Sequence, residues 1–322
     1  MFINEDSTSK YVAAVNAVTK IVSHFIEGGE LKDRFEAFDK PEVAFGDRYE
    51  MSVYLRADKA SSAQPSEHAK YAPKGIDLIF SEVVGGCYPA TISPEEIREC
   101  VGNAAKQEEV AARIIQTLYD GWTDDKNTAI AAAVQSIITD GTHTVTVTRT
   151  AGQEEKYAID LLTAAGTWAE NIREGITGTM YGNSVVGDKP MPASGIAVVM
   201  SNATAKFLDG NGYAKVFNEG RLSMGDVIRV TSYRIPEGTI LVTDVRNIQA
   251  RPKYEELVSE IKNSDGSYNY FYNKYEFIET AMTTEKLIAF PYIVIKTEEA
   301  SAAALNTPAP EQTPEQTEEE GA

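Results

Sequence analysis

Apolar residues near the start of the chain recur at the spacing of a helix. In residues 10–27, five of them fall on one helical face: Tyr11, Val15, Val18, Val22 and Phe25. The pattern predicts an amphipathic helix that ends at Gly28-Gly29. Its apolar face has two possible roles: packing into the core of its own domain, or docking as an arm on a neighbouring subunit.

Two later stretches alternate between apolar and polar positions, which is typical of half-buried strands. They are DRYEMSVYL (47–55) and GIDLIF (75–80). On the expected buried face lie Tyr49, Met51, Val53, Leu55, Ile76, Leu78 and Phe80. Residues 56–74 between them are polar and show no apolar period. We expect a long hairpin with a polar tip, and because an isolated two-stranded ribbon is marginally stable in water, it requires a partner surface.

The segment ISPEEI (92–97) has the signature of a helix start. Ser93 is the expected N-cap, Pro94 fits the first turn, and Glu96 completes a capping box. Ile92 and Ile97 have the spacing of a hydrophobic staple. The apolar pattern predicts helix to a stop near Gly121. A further helix is predicted over roughly 124–139, with Asp124-Asp125 placed favourably at its N-terminus.

The second half of the chain predicts a mixed α/β pattern. A strand over 143–150 and a helix over 161–176 are followed by a buried strand at GIAVVM (195–200) and a short helix at SNATAKFLDG (201–210) that Gly210 stops. The segment RVTSYRIPEGTILVTDV (229–245) predicts two strands joined as a hairpin at Pro236-Glu237-Gly238. We further predict a helix over 251–263 with Pro252 in its first turn, and final strands over 268–282 and 286–296.

Composition narrows the class of protein. The chain has 322 residues, of which 43% are hydrophobic and 24% charged, as in soluble globular proteins. A net charge of −18 argues against a protein that binds duplex nucleic acid, which needs clustered Lys and Arg. Residues 297–322 contain seven Glu and no Lys or Arg, so we expect a disordered acidic tail. No signal peptide or membrane span is evident, and we expect the protein to remain in the cytoplasm.

The residue types that carry chemistry are scattered. His24, His68 and His143 form no metal-binding motif, and Cys87 and Cys100 are expected to be buried reduced thiols. The glycines of 174–190 fit neither a phosphate loop nor a dinucleotide fingerprint, and DGNG (209–212) lacks the ligands of a calcium loop. The series Tyr268, Tyr270 and Tyr272 is expected to pack in a strand rather than stack on bases. We therefore predict no catalytic, cofactor-binding or metal-binding residue, no cofactor, and no enzymatic activity.

The order of elements resembles that of the major capsid proteins of tailed bacteriophages, the HK97-like fold. AFGDRYEMSVYLRADKAS followed by GGCYPATISPEEIREC is similar to the extended loop and spine entry of phi29-like capsid proteins. GIAVVMSNATAKFLDG resembles the strand and short helix of the family's axial domain. IPEGTILVTDV together with YEFIETAMTTEKLIAFPYIVIK resembles the late hairpin and the final peripheral strands.

The resemblance implies an α+β chain with the family's division into domains. The implied parts are an N-terminal arm (1–43), an extended hairpin loop (44–83), a peripheral domain with a long spine helix (84–162 and 264–296), a mixed α/β axial domain (163–263) and the acidic tail (297–322).

The resemblance also implies a structural function. Pentamers and hexamers of the chain would form an icosahedral shell that encloses double-stranded DNA without sequence-specific binding and without a membrane. Scaffolding, portal and decoration proteins are the further partners it implies, with assembly in the host cytoplasm.

Cations at the hairpin tip are our candidate assembly residues in such a shell. They stand out against an acidic chain: Arg56, Lys59, Lys70 and Lys74. Two alternatives remain at this point. One is an encapsulin-like cellular compartment, and the other is an α/β ligand-binding protein or enzyme with a dispersed site.

Overall fold

The computed structural model describes residues 5–24, 32–42, 48–54, 75–140, 143–174, 195–213, 227–282 and 288–299. The helices are α1 (Glu5–His24), α2 (Pro94–Cys100), α3 (Ala104–Asp140), α4 (Glu154–Glu174) and α5 (Asn202–Leu208). The strands are β1 (Tyr49–Tyr54), β2 (Gly75–Phe80), β3 (Val83–Ile92), β4 (Thr144–Arg149), β5 (Ile196–Met200), β6 (Val227–Thr231), β7 (Thr239–Asp244), β8 (Ile248–Lys262), β9 (Tyr268–Thr280) and β10 (Tyr292–Glu299). They form the hairpin β1–β2, the sheet β3-β9-β8 and the sheet β4-β10-β7-β5-β6.

The N-terminal helix α1 belongs to the core of its own chain. Val15, Val18 and Val22 are buried in the main hydrophobic cluster together with residues of α3, as their spacing predicts. The Tyr11 hydroxyl donates a hydrogen bond to the Gly266 carbonyl at 3.0 Å. Of the two roles predicted for the apolar face of this helix, the structure therefore shows packing into the core of its own chain. Phe25 and Gly28-Gly29 lie outside the described residues.

The start of α2 is confirmed in detail. The backbone N–H of Glu96 donates to Ser93 Oγ at 3.3 Å, and the backbone N–H of Ser93 donates to Glu96 Oε2 at 2.9 Å. This reciprocal pair is a capping box, with Pro94 in the first turn. The expected staple residues Ile92 and Ile97 are both buried.

The helix α3 corrects two predictions. It runs without a break through Gly121, where we predicted a helix end. A Cβ at Gly121 would lie 3.1 Å from Cδ1 of Tyr88, so glycine lets β3 approach the helix closely rather than ending it. Asp124 and Asp125 consequently lie in mid-helix, where they bind Arg234 and the Tyr88 hydroxyl instead of capping an N-terminus.

The three-stranded antiparallel sheet corrects the helix predicted over 251–263. These residues belong to β8, which pairs with β9 over nearly its whole length. Pro252 is tolerated because β8 is an edge strand, and the register shifts between Pro252 and Tyr254. The central strand β9 buries Tyr268, Tyr270 and Tyr272, which confirms their packing role.

The five-stranded sheet corrects the hairpin predicted over 229–245. The two strands β6 and β7 exist, but β5 lies between them, parallel to β6 and antiparallel to β7. The turn at Pro236–Gly238 therefore carries the chain past the end of β5, where the N–H of Ser232 donates to the Met200 carbonyl at 3.2 Å. All five residues of β5 are buried, as its continuous apolar run predicts.

Helices α4 and α5 cover one face of this sheet, in a cluster with Leu161, Ile172, Val198 and Ile295. The opposite face contributes Val199, Leu241 and Val294 to the main cluster that includes α1 and α3. The predicted strand over 143–150 is confirmed as β4, and α4 begins at Glu154, earlier than the predicted 161.

Smaller corrections concern ends and exposure. Gly210 does not stop α5, because a π-helical turn continues through Asp209–Tyr213. Strand β10 extends to Glu299, so residues 297–299 belong to the sheet and not to a disordered tail. Cys100 is buried as expected, but Cys87 is exposed on β3 because alternate side chains of that edge strand face solvent. Among the described residues, no helix is long and apolar enough to cross a membrane.

Candidate assembly surfaces

The root of the hairpin β1–β2 has the apolar face that alternation predicts. The antiparallel register places Tyr49 opposite Phe80, Met51 opposite Leu78, and Val53 opposite Ile76. These six side chains meet the segment before β10, in a small cluster completed by Ala281, Ala289 and Phe290. Apolar packing thus attaches the hairpin to the body at one end, while the expected face residue Leu55 lies outside the described ranges.

Polar contacts fix the direction in which the hairpin leaves the body. The carboxylate of Glu279 on β9 accepts hydrogen bonds from the backbone N–H groups of Ser81, at 3.0 Å, and Glu82, at 3.2 Å. On β8, the guanidinium of Arg251 lies 4.2 Å from the ring centroid of Tyr49. The turn between β2 and β3 is therefore held by the long strands of the three-stranded sheet.

The outer face of the hairpin root is available for contact. Ile79 is 51% exposed and Val83, just beyond the hairpin, is 37% exposed. Beside them, Ser52 Oγ donates to Asp77 Oδ1 at 2.6 Å. The four cations of the tip, Arg56, Lys59, Lys70 and Lys74, lie outside the described residues, so their role stays a hypothesis.

A buried polar junction joins the two sheets to the hairpin root. Asp244, at the end of β7, is fully buried and is held by Arg246, whose Nη2 lies 2.6 Å from Asp244 Oδ2. The guanidinium of Arg246 also lies 4.3 Å from the ring centroid of Phe290. Next to it, Asn247 Nδ2 donates to Thr243 Oγ1 and to the Phe290 carbonyl, both at 2.9 Å. One short connection therefore positions three parts of the subunit.

Helix α3 is bound to the three-stranded sheet through an aromatic contact and a carboxylate. The hydroxyl of Tyr88 donates to Asp125 Oδ2 at 2.7 Å, and its ring packs edge-on against Trp122, with centroids 6.2 Å apart. Burial, and next the hydrogen bond to Asp125, raise the pKa of Tyr88 above its ordinary value. The phenol therefore stays neutral and remains a donor throughout the physiological range.

A second polar cluster lies deeper against α3. Lys126 Nζ is 2.6 Å from Asp33 Oδ2 and 2.6 Å from Asp39 Oδ1. Glu276 on β9 is 3% exposed and interacts electrostatically with the same ammonium. The cluster therefore ties the segment after α1 to α3 and to the three-stranded sheet.

The sequence did not single out the junction or the cluster, although one signal was available. In β9 the even-numbered positions face inward, and Lys274 and Glu276 occupy two of them among buried tyrosines. Charged residues at inward positions indicate a buried ion pair or network. Nothing in the local pattern indicates the partner Lys126, which is 150 residues away in the chain.

The residues considered for chemistry are not brought together in the described part of the chain. No group of three or more His, Cys, Asp or Glu that could hold a metal occurs among the described residues. His143 is buried against Tyr292, with ring centroids 5.0 Å apart. His68, the side chain of His24 and residues 175–194 of the glycine-rich stretch lie outside what the structure describes.

Two of the three comparisons with known proteins found matches. The family model of the Phi29-like phage major capsid protein matches residues 5–289. No curated protein sequence matches the chain.

Three solved phage structures share the architecture of this chain. A chain in the capsid structure of Staphylococcus phage Andhra aligns with a TM-score of 0.56 and 13% identity, covering 83% of this chain and 85% of that chain. A chain in the structure of head fiber and inner core protein gp22 of native bacteriophage P68 aligns with a TM-score of 0.57 and 12% identity, covering 83% of this chain and 85% of that chain. A chain in the capsid structure of the Cyanophage P-SCSP1u aligns with a TM-score of 0.52 and 11% identity, covering 83% of this chain and 88% of that chain. At these identities the alignments show a shared fold.

Proposed function

Because the chain belongs to the Phi29-like phage major capsid protein family, it is a structural protein of the phage shell, and we propose that its hairpin β1–β2 is the arm through which it assembles. The shell it forms is a closed icosahedral container for double-stranded DNA. Many weak contacts, repeated by symmetry in every copy, suffice to make such a container stable.

The family match over residues 5–289 is the observation that carries this function. The expected α+β, HK97-like fold is confirmed by the likeness to phage capsid chains. The same match favours a phage capsid over an encapsulin-like compartment and over an α/β ligand-binding protein or enzyme. The role is structural, and the absence of enzymatic activity is part of the proposal.

The two sheets support a division into a peripheral and an axial unit. We assign α3 and the sheet β3-β9-β8 to the peripheral unit, and the sheet β4-β10-β7-β5-β6 with α4 and α5 to the axial unit. In this proposal β8 belongs to the peripheral unit rather than to the axial range 163–263, and β4 and β10 belong to the axial unit rather than to the peripheral ranges 84–162 and 264–296. The hairpin loop (44–83) keeps its proposed role, whereas α1 of the arm (1–43) packs in the core of its own chain.

The hairpin is suited to reach a neighbour because its root is fixed and its tip is polar. Apolar packing and Glu279 set its direction, and the tip cations Arg56, Lys59, Lys70 and Lys74 have an acidic chain to contact in each neighbouring copy. Each exposed ion pair contributes only about 0–1 kcal/mol, but a closed shell repeats it in every subunit.

The partners of this chain in the shell are also part of the proposal. Membership of the family implies a shell of many subunits. We propose that these subunits form pentamers and hexamers, that the shell assembles in the host cytoplasm, and that the protein is then part of the virion. Scaffolding, portal and decoration proteins are the further partners proposed. The net charge of −18 suits an inner wall that encloses DNA without trapping it by charge.

Electron microscopy of the purified chain, with two variants of the tip, tests the proposal. Replacing residues 56–74 by Asn-Gly should leave a folded subunit, by circular dichroism, that forms no shells. The matched control replaces 56–74 by a Gly/Ser segment of equal length, which preserves the reach and removes the charges. Normal particles from the Asn-Gly variant would show that the hairpin is not the assembly arm, and wild-type protein that never forms particles would count against a self-assembling shell.

A further inference from the structure

One buried ammonium holds the segment that follows α1. Lys126 lies in the middle of α3 with its side chain only 7% exposed, and it binds the carboxylates of Asp33 and Asp39 at 2.6 Å each. We call residues 32–40 the connecting segment. At its far end the backbone N–H of Lys40 donates to the Ala250 carbonyl of β8 at 2.8 Å. The connecting segment is thus attached to both the spine helix and the three-stranded sheet.

A third carboxyl group, on the three-stranded sheet, interacts electrostatically with the same ammonium. The side chain of Glu276 points inward from β9 and is 5% exposed. The groups that act on it are Lys126 from α3, Lys274 from its own strand, and Asp33 and Asp39 from the connecting segment. The two neighbouring strands place Val84 and Pro252 opposite it, and neither carries a charge.

Lys274 is largely committed to another partner. Its Nζ lies 2.5 Å from Glu255 Oε2 on β8, and 3.9 Å from Glu276 Oε1. Lys126 is therefore the main cation facing Asp33, Asp39 and Glu276, and Lys40 of the connecting segment acts electrostatically on Asp39 as well. The cost of ionisation is concentrated on Glu276, because its side chain is only 5% exposed whereas that of Asp39 is 40% exposed.

The protonation states of the two central groups differ in how they respond to pH. Burial raises the pKa of Glu276 to about 7, although Lys126 and Lys274 partly oppose the shift. Burial also acts to lower the pKa of Lys126, but Glu276, Asp39 and Asp33 more than offset this and hold it above its ordinary value. Near neutral pH the ammonium keeps its charge while Glu276 changes its own.

We propose that Glu276 is a pH-sensitive latch for the connecting segment. When its carboxyl group is neutral, Lys126 is held by Asp33 and Asp39, and the segment is bound tightly to α3 and β8. When it is ionised, it competes for the ammonium and repels both aspartates, and the segment is bound more loosely.

The direction of the effect follows from the sign of the shift. The pKa of Glu276 is raised in the folded chain, so the stability linked to its neutral form is fully present below about pH 4.5 and is lost as the pH rises through about 7. The connecting segment is consequently tight in mild acid and loose in mild base. Since α1 is held separately in the core, the latch gives the subunit a pH-dependent attachment of the connecting segment itself.

Hydrogen exchange of the full-length chain measures this attachment directly. Protection of the amides of Phe38, Asp39 and Lys40, corrected for the intrinsic effect of pH, should fall by about threefold or more between about pH 6 and about pH 8. Glu276→Gln keeps the side chain neutral, so its protection should be high and equal at both pH values. Glu109→Gln is the control, because it removes a carboxylate of the same helix, α3, that binds Lys106 rather than Lys126, and it should behave as wild type does.

Two results would overturn the latch. One is wild-type protection of these amides that does not change with pH, which needs no variant and therefore stands even where Glu276→Gln fails to fold. The other is a folded Glu276→Gln protein that keeps the wild-type pH dependence. Light scattering at both pH values checks that the assembly state is the same, so that the outcome is independent of whether the hairpin drives assembly.

Discussion

Asn247 and Phe290 form a reciprocal pair of hydrogen bonds between a side chain and a backbone. Asn247 Nδ2 donates to the Phe290 carbonyl at 2.9 Å, and the Phe290 N–H donates to Asn247 Oδ1 at 3.0 Å. The carboxamide thus supplies the pairing that a neighbouring strand would supply. It does so where the chain crosses from one sheet to the other, directly beneath the root of the hairpin.

Replacing Asn247 by Ala removes this pairing and leaves the buried Phe290 backbone without partners. Because a buried unsatisfied polar group costs about 1–3 kcal/mol, the variant should lose about 2–4 kcal/mol in free energy of unfolding, measured by denaturant titration. The control is Asn269→Ala, whose side chain is only half-buried and bonds Asn263 and Thr91 near the β8–β9 turn. Equal losses in the two variants would contradict a special role for the junction.

The two helix-interior glycines Gly121 and Gly166 should respond oppositely to alanine. A Cβ at Gly166 in α4 meets no atom within 4 Å, so Gly166→Ala should stabilise the protein by about 0.5–1 kcal/mol. At Gly121 the new Cβ crowds the Tyr88 ring at 3.1 Å, which should cancel or reverse that gain. Thermal unfolding of both variants measures the difference.

A double substitution separates crowding from any other effect at Gly121. Adding Tyr88→Ala removes the ring that the Cβ meets, so Gly121→Ala should be less harmful in that background than in wild type. If Gly121→Ala stabilises as much as Gly166→Ala does, the close approach of β3 does not explain this glycine.

Truncation should define where the folded chain ends. The composition of residues 300–322 predicts no contribution to the core, so the chain 1–299 should melt within a degree or two of the full chain. The chain 1–296 also loses Thr297, whose N–H and hydroxyl both donate to the Gly238 carbonyl, at 3.0 and 2.7 Å. It should be less stable by about 1–3 kcal/mol. A large loss in 1–299 would show that the acidic segment packs on the body.

Neutralising the tip cations should weaken assembly in a salt-dependent way. The variant changes four residues to Gln: Arg56, Lys59, Lys70 and Lys74. Its critical concentration for particle formation should rise, most strongly at low salt, because salt screens exposed charges beyond a Debye length of about 10 Å at 0.1 M. The control neutralises four exposed cations of the body: Arg98, Lys156, Lys206 and Lys262. An equal effect in the control would indicate a general response to charge rather than contacts of the tip.

The sequence by itself determined the elements that depend on local periodicity and local hydrogen bonds. Helical spacing identified the buried face of α1, and alternation identified the face that β1 and β2 share. The capping box at Ser93 was legible because all of its atoms lie within four residues. The order of these elements was enough to indicate the capsid family, because the order of elements along a chain can be read without knowing which elements are in contact.

The tertiary structure alone decided which elements meet, because those choices depend on partners far away in the chain. Residues 251–263 carry a helical apolar pattern, yet pairing with β9 makes them a strand. The sequence predicts a helix end at Gly121, whereas the structure shows the Tyr88 ring packed close to this glycine within a continuous helix. The sequence also predicts that β6 and β7 form a hairpin, whereas β5 lies between them in the sheet. Lys126 and Glu276 come close to each other only because α3 and β9 pack together. The free energy of this packing depends on the surfaces of the two elements, which no local sequence pattern describes.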